Sequence, residues 1–112
     1  MAYTQIDYEP TIAELEPRAR ALIKASEACF EDFYAQRLNR RYPRYIASDP
    51  EQVDAAFRWL EEQHLVMGDR FLEWGSGFGL ATGLASLRGY AACGIELRQG
   101  LVGIARDLMS EQ

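Results

Sequence analysis

Apolar residues over the first forty positions recur at helical intervals: Ile12, Leu15, Ala19, Leu22, Ile23, Phe30, Phe33, Tyr34 and Leu38. Recurrence at three and four residues marks one face of a helix. Thr11 and Glu14 have capping-box spacing, but Pro17 would kink or break the turns that such a start requires. A start near Pro17 avoids the conflict, so the pattern predicts a helix over 17–40. Pro43 then breaks it, and "YPRYIASDP" reads as an extended loop. The next helix begins at "SDPE". Ser48 or Asp49 caps it, Pro50 fits the first turn, and Glu51 suits the positive end of the dipole. Val53, Ala56, Phe57, Leu60 and His64 mark its expected inner face.

Beyond residue 66 the pattern changes from helical to alternating. "MGD" reads as a turn, "RFLEW" as a short strand, and "GSGFG" as a loop. "LATGLASLR" is helical, and "GYAACGIE" is a turn leading into a second strand. "LRQGLVGIARDLMSEQ" runs into a final helix with Leu101, Val102, Ala105, Leu108 and Met109 on its apolar side. There is no internal repeat and no low-complexity tract. The expected division is an N-terminal helical arm and loop over 1–47, and a cofactor-binding region over 48–112.

The 112-residue length suits one small domain, and a 48% hydrophobic content is that of an ordinary globular protein. A net charge of -5 argues against nucleic acid held by a broad cationic field. Arg37, Arg40, Arg41 and Arg44 beside Tyr42 and Tyr45 form a local cationic, aromatic strip. Such a strip suits an anionic substrate or a nucleic-acid backbone, but basic residues at a helix C-terminus also complement its dipole. Glu31 and Asp32 dilute its field, which favours the second role. Cys29 and Cys93 lack CxxC spacing, and with the single His64 they are too few for a metal cluster. Cys93 reads as a small hydrophobe within an apolar segment, and His64 as a solvated histidine near a helix end. No basic-then-apolar leader opens the chain, and no apolar run approaches the roughly 20 residues of a membrane span. A cytoplasmic, reducing setting without membrane contact is therefore expected.

Strand, glycine loop, helix and strand make a βαβ unit, whose crossover is right-handed. Ligands of such units bind beyond the carboxyl ends of the strands. Glycines admit positive φ and let ligand atoms approach the main chain, while free N–H groups at the following helix start favour an acceptor or anion. Glu96 ends the second strand at the same sheet edge as the loop, 21 residues after Gly75. A carboxylate there accepts two hydrogen bonds from vicinal ribose hydroxyls. The dinucleotide fingerprint is GxGxxG, whereas the glycines here are Gly75, Gly77 and Gly79, with Leu at position 80.

"LEWGSGFG" instead resembles the first motif of class I S-adenosylmethionine-dependent methyltransferases, (D/E)xGxGxG at the end of the first strand. "ACGIELRQGLVGIARDL" is similar to that family's second strand, ribose-binding acid and following helix. The resemblance covers residues 68–109, is thin over 44–67 and does not extend further upstream. It implies that Glu73 lies near the methionine amino end of the cofactor, directly or through water. It also implies close backbone at Gly75, Ser76, Gly77 and Gly79, ribose hydroxyls on Glu96, and Leu97 beside the adenine. Trp74 is bulkier than the family's usual residue and is expected to pack between the first strand and a flanking helix. "RYIASDPEQV" resembles a subgroup, including certain histone methyltransferases, in which a Tyr-x-Pro-Ser/Thr loop covers the cofactor. Tyr45 and Ser48 match that outline, with Ala47 in place of the proline.

The architecture implied is α/β: the helical arm, then the first βαβα unit of a Rossmann-like doubly wound sheet, truncated. Substrate-facing residues of the family stand on later strands, so no catalytic residue and no methyl acceptor is assigned, and the 112 residues alone are expected to be inactive. Two alternatives stand beside the methyltransferase. One is a non-catalytic S-adenosylmethionine-binding, nucleotide-binding or interaction module that dimerises through an open sheet edge. The other is a fragment of an NAD-dependent oxidoreductase, against which Leu80 and the glycine spacing speak.

Overall fold

A computed structural model describes residues 5–43 and 45–111. Helix α1 spans Pro17–Ala35, with its proline at the first turn after an extended Glu16. The predicted single helix is divided: Arg37 adopts a left-handed conformation (φ 58), and a short α2 follows at Leu38–Arg41. Two amides close the end of α1, Gln36 N–H donating to Asp32 and Arg37 N–H to Tyr34. Helix α3 spans Pro50–Glu62, and of the two candidate caps Asp49 takes the role, accepting from the amides of Glu51 and Gln52. Ser48 lies exposed outside the helix. His64 is also beyond the helix, exposed and left-handed (φ 56), so it does not belong to the inner face. Asp54, Ala55 and Phe57 are the buried residues of α3.

Strand β1 is Arg70–Trp74, α4 is Leu80–Leu87, β2 is Ala91–Ile95 and α5 is Gln99–Ser110. The strands pair in parallel with Phe71 opposite Ala92 and Trp74 opposite Ile95. The protein is thus mixed α/β, with five helices and a two-stranded parallel sheet among the described residues. Its core joins Leu22, Ile23 and Phe33 of α1 to Phe78, Leu84 and Ala85 around α4 and to Leu101 and Leu108 of α5. Gly83 allows this close packing: a Cβ there would lie 2.8 Å from Leu22 Cδ2 and 2.9 Å from Met109 Cε.

Strand alternation decides the rest, because successive side chains point to opposite faces. Phe71 and Glu73 face the helices, with Phe71 edge-on to Phe57 at 5.2 Å. Leu72 (50% exposed), Trp74 (78%) and Ile95 (43%) share the other face with exposed Cys93. Expected packing of Trp74 against a helix is therefore overturned: it has the parity of Leu72, on the face no described helix covers. Cys93 is likewise a surface thiol rather than a buried hydrophobe, and both cysteines are free.

A charged network that the sequence reading missed joins α3 to the end of α4. Arg88 grips Glu61 through Nε and Nη2 (2.6 Å at the closest) and reaches Asp54 Oδ1 at 3.3 Å. Arg58 holds the other Asp54 oxygen at 3.1 Å, and Tyr90 donates to Glu61 at 3.3 Å. Arg88 donating to it holds the Glu61 carboxyl below the usual carboxylate range, against the opposing effect of burial.

Candidate functional site

The loop is fixed to the carboxyl end of the sheet by its own amides. Gly75 and Ser76 N–H both donate to the Ile95 carbonyl, at 2.8 and 3.0 Å. Gly75, Gly77 and Gly79 all have positive φ (67, 54 and 77), which explains the triplet: the chain makes three left-handed steps where side chains carry strain. Gly79 N–H closes a turn onto the Ser76 carbonyl at 2.7 Å, and the Gly79 carbonyl then receives Gly83 N–H as α4 begins. A Cβ on Gly75 would meet nothing within 4 Å, so open space faces the loop there.

Two carboxylates brace this turn. Glu73 Oε1 accepts from both the amide and the hydroxyl of Thr82, at 3.1 and 2.7 Å, tying β1 to the first turn of α4. Glu96 follows β2 immediately and uses both oxygens: Oε1 accepts Gly77 N–H at 3.0 Å and Oε2 accepts Arg98 N–H at 2.9 Å. It therefore staples the loop to the start of α5. A carboxylate offers about four acceptor directions, so each oxygen retains capacity for a ligand hydroxyl.

Tyr45 reaches the loop from the segment before α3. Its phenol oxygen accepts Phe78 N–H at 3.2 Å, and its ring lies 5.1 Å from the Phe78 ring and 5.9 Å from Phe30. A Cβ at Gly77 would overlap the Tyr45 ring. Burial pushes the phenol pKa up, the Phe78 amide opposes that shift, and the nearby Glu73 and Glu96 charges add to it. Tyr45 is accordingly a neutral acceptor. Phe78, 1% exposed, is the loop's anchor in the aromatic cluster of α1. Sequence reasoning missed it, although it is the one large apolar residue between glycines.

The expected site residues fall on two sides of the loop. Glu73, Gly75, Ser76, Tyr45 and Ser48 line a cavity of only about 30 Å³. Ser76, Gly79 and Glu96 line another, open cleft of about 250 Å³, walled on its other side by α5 residues that include Arg106 and Met109. Gly77 is buried and bonded to Glu96 while packed under Tyr45. Leu97 is 94% exposed and lines neither cavity. Gly94, also missed, brings β2 against the loop: a Cβ there would lie 2.7 Å from Ser76 Cβ and 2.9 Å from Thr82 Oγ1. A glycine inside a strand is the signal for such an approach.

Of the basic strip, Arg41 places its guanidinium 5.8 Å from the Tyr42 ring centre, which Arg98, from outside the strip, also approaches at 6.0 Å, while Arg44 lies outside the described residues. Among the described residues, no group of three or more His, Cys, Asp or Glu is placed to hold a metal ion. None of the described helices is long and apolar enough to cross a membrane. No protein-family model matches the chain, and neither a curated protein nor a solved structure does.

Proposed function

We propose that the glycine loop and Glu96 form the S-adenosylmethionine-binding end of a Rossmann-like methyltransferase. The observation that carries this reading is the meeting, beyond the carboxyl ends of two parallel strands, of a left-handed glycine loop and a carboxylate bonded to it. That is where open α/β sheets bind ligands. The residues fit the cofactor's chemistry. Glu96 has acceptor capacity for a ribose diol, Gly75 opens onto free space, and Glu73 stands at the loop's entry from β1 with Oε1 already oriented by Thr82. When bound, S-adenosylmethionine supplies an electrophilic methyl group, and the protein's share is to bind it, orient it and exclude water. Glu96 does the holding, and the side-chain-free backbone at Gly75 lets the ligand approach closely; Tyr45 and Ser48 stand over the loop from the other side.

Calorimetric titration with S-adenosylmethionine, repeated in the presence of NAD, tests this. Saturable binding that NAD leaves unchanged is expected. Selective NAD binding would replace the reading with the oxidoreductase one.

A second reading, an interaction module, is favoured by the apolar outer face of Leu72, Trp74 and Ile95. Parallel sheets are normally covered on both sides. Pairing two β1 edges about a two-fold axis perpendicular to the sheet would set both bare faces side by side as one larger apolar surface for a partner. Light scattering during size-exclusion chromatography distinguishes the cases: a stable dimer supports the module, and a well-behaved monomer opposes it.

A further inference from the structure

Resting on the reading of the loop as a cofactor cradle, we infer that Tyr45 is a latch: it holds residues 45–49 closed over the loop, and the ligand enters only when it lets go. The space left between strap and loop is the first ground. Cofactor sites measure roughly 300–1,000 Å³, and the cavity bounded by Tyr45, Ser48, Glu73 and Gly75 measures about 30 Å³. The side of the loop lined by Glu96 leaves about 250 Å³, but any part of the ligand that lies between Tyr45 and Glu73 does not fit while the strap lies as it does.

The manner of closure is the second ground. Tyr45 takes the Phe78 amide and lays its ring over Gly77, where not even a Cβ fits. It thus occupies, with a ring and an acceptor atom from the chain itself, the place where the loop has been cleared of side chains.

Third, Tyr45 is the strap's main attachment to the loop. Residues 45–49 form no helix or strand, Ile46 is 87% exposed, and Ala47, Ser48 and Asp49 are exposed. The ends are tethered, by Tyr45 N–H on the Tyr42 carbonyl at 3.1 Å and by Asp49 capping α3. Among the described residues the Tyr45 phenol makes the one hydrogen bond from strap to loop, beside ring contacts with Phe30, Phe33 and Phe78. A strap joined to the loop through one side chain, by its ring and its hydroxyl, describes a two-state element, and a ligand that binds only the open state pays for opening in apparent affinity.

The test is Tyr45→Phe, which keeps the ring and removes the acceptor. One neutral hydrogen bond contributes on the order of 1 kcal/mol, which corresponds to about a fivefold change in the open population. The expected result is S-adenosylmethionine binding about fivefold tighter, with a faster on-rate. A hydroxyl that instead touched the ligand would give the opposite sign, and weaker or unchanged binding overturns the latch. Relaxation-dispersion NMR without ligand gives an independent readout. The amides of Ile46–Ser48 and Phe78 should share one exchange process, whose minor population rises about fivefold in Tyr45→Phe. If S-adenosylmethionine binds neither protein, the cofactor assignment fails, and the dispersion result alone decides the latch: no shared exchange, or none that Tyr45→Phe alters, overturns it.

Discussion

Glu96→Ala removes the staple between the loop and α5, and its cost follows from the bonds it breaks. The carboxylate accepts Gly77 N–H at 3.0 Å and Arg98 N–H at 2.9 Å. Hydrogen bonds to charged groups contribute about 1.5–3 kcal/mol each when well shielded. Glu96 is only half-buried, so water takes over much of what is lost, and a total of about 1–2 kcal/mol is expected. Glu96→Gln retains one carbonyl acceptor and should lose about half as much. Urea denaturation at neutral pH measures both, and an unchanged slope would show that only the native state was altered. In the folded Ala variant, S-adenosylmethionine affinity should fall by about 1.5–3 kcal/mol, since the diol loses its charged acceptor. An Ala variant within about 0.3 kcal/mol of the parent would refute the staple, a difference too small for a lost charged bond. Unchanged affinity in a folded protein would refute the ribose role.

Gly94→Ala should destabilise by about 1–3 kcal/mol, the usual cost of overpacking, because its Cβ would meet Ser76 Cβ at 2.7 Å and two hydroxyls within 2.9 Å. Parent-like stability in urea would show that the loop yields there freely. Arg88→Met should cost about 1–2 kcal/mol at pH 7, less than the 3–5 of a fully buried pair because Arg88 and Glu61 are a quarter to a third exposed. The same variant should flatten the acid limb of stability. Glu61 has a depressed folded pKa, so it stabilises above the unfolded carboxylate pKa, and that contribution is lost as pH falls through the folded value. Melting temperatures at a series of acidic pH values check the slope, and parallel curves for parent and variant would contradict it.

The fold was legible where sequence periodicity changed: "RFLEW" and "GYAACGIE" became β1 and β2, and Pro17 and Pro50 mark the starts of α1 and α3. The break at Arg37 was not, because apolar spacing continues through Leu38 and no glycine or proline marks a left-handed residue there. Trp74 was misplaced because alternation says which residues share a face but not which face the helices cover. Within the site, Gly75, Gly77, Gly79 and Glu96 were found by local pattern and spacing. The bonds that organise them were not. Tyr45 to Phe78 spans 33 residues and Arg88 to Asp54 spans 34, and no local signal encodes such pairings.

Amide chemical-shift mapping during titration with S-adenosylmethionine locates the ligand as well as detecting it. Saturating shifts are expected at Gly75, Gly77, Gly79 and Arg98, together with Phe78 as Tyr45 releases it, while Leu72 and Cys93 at the centre of the bare sheet face stay still. Shifts confined to that outer face, or no saturable shifts at the loop, would contradict the assignment of the glycine turn and Glu96 as a cofactor cradle.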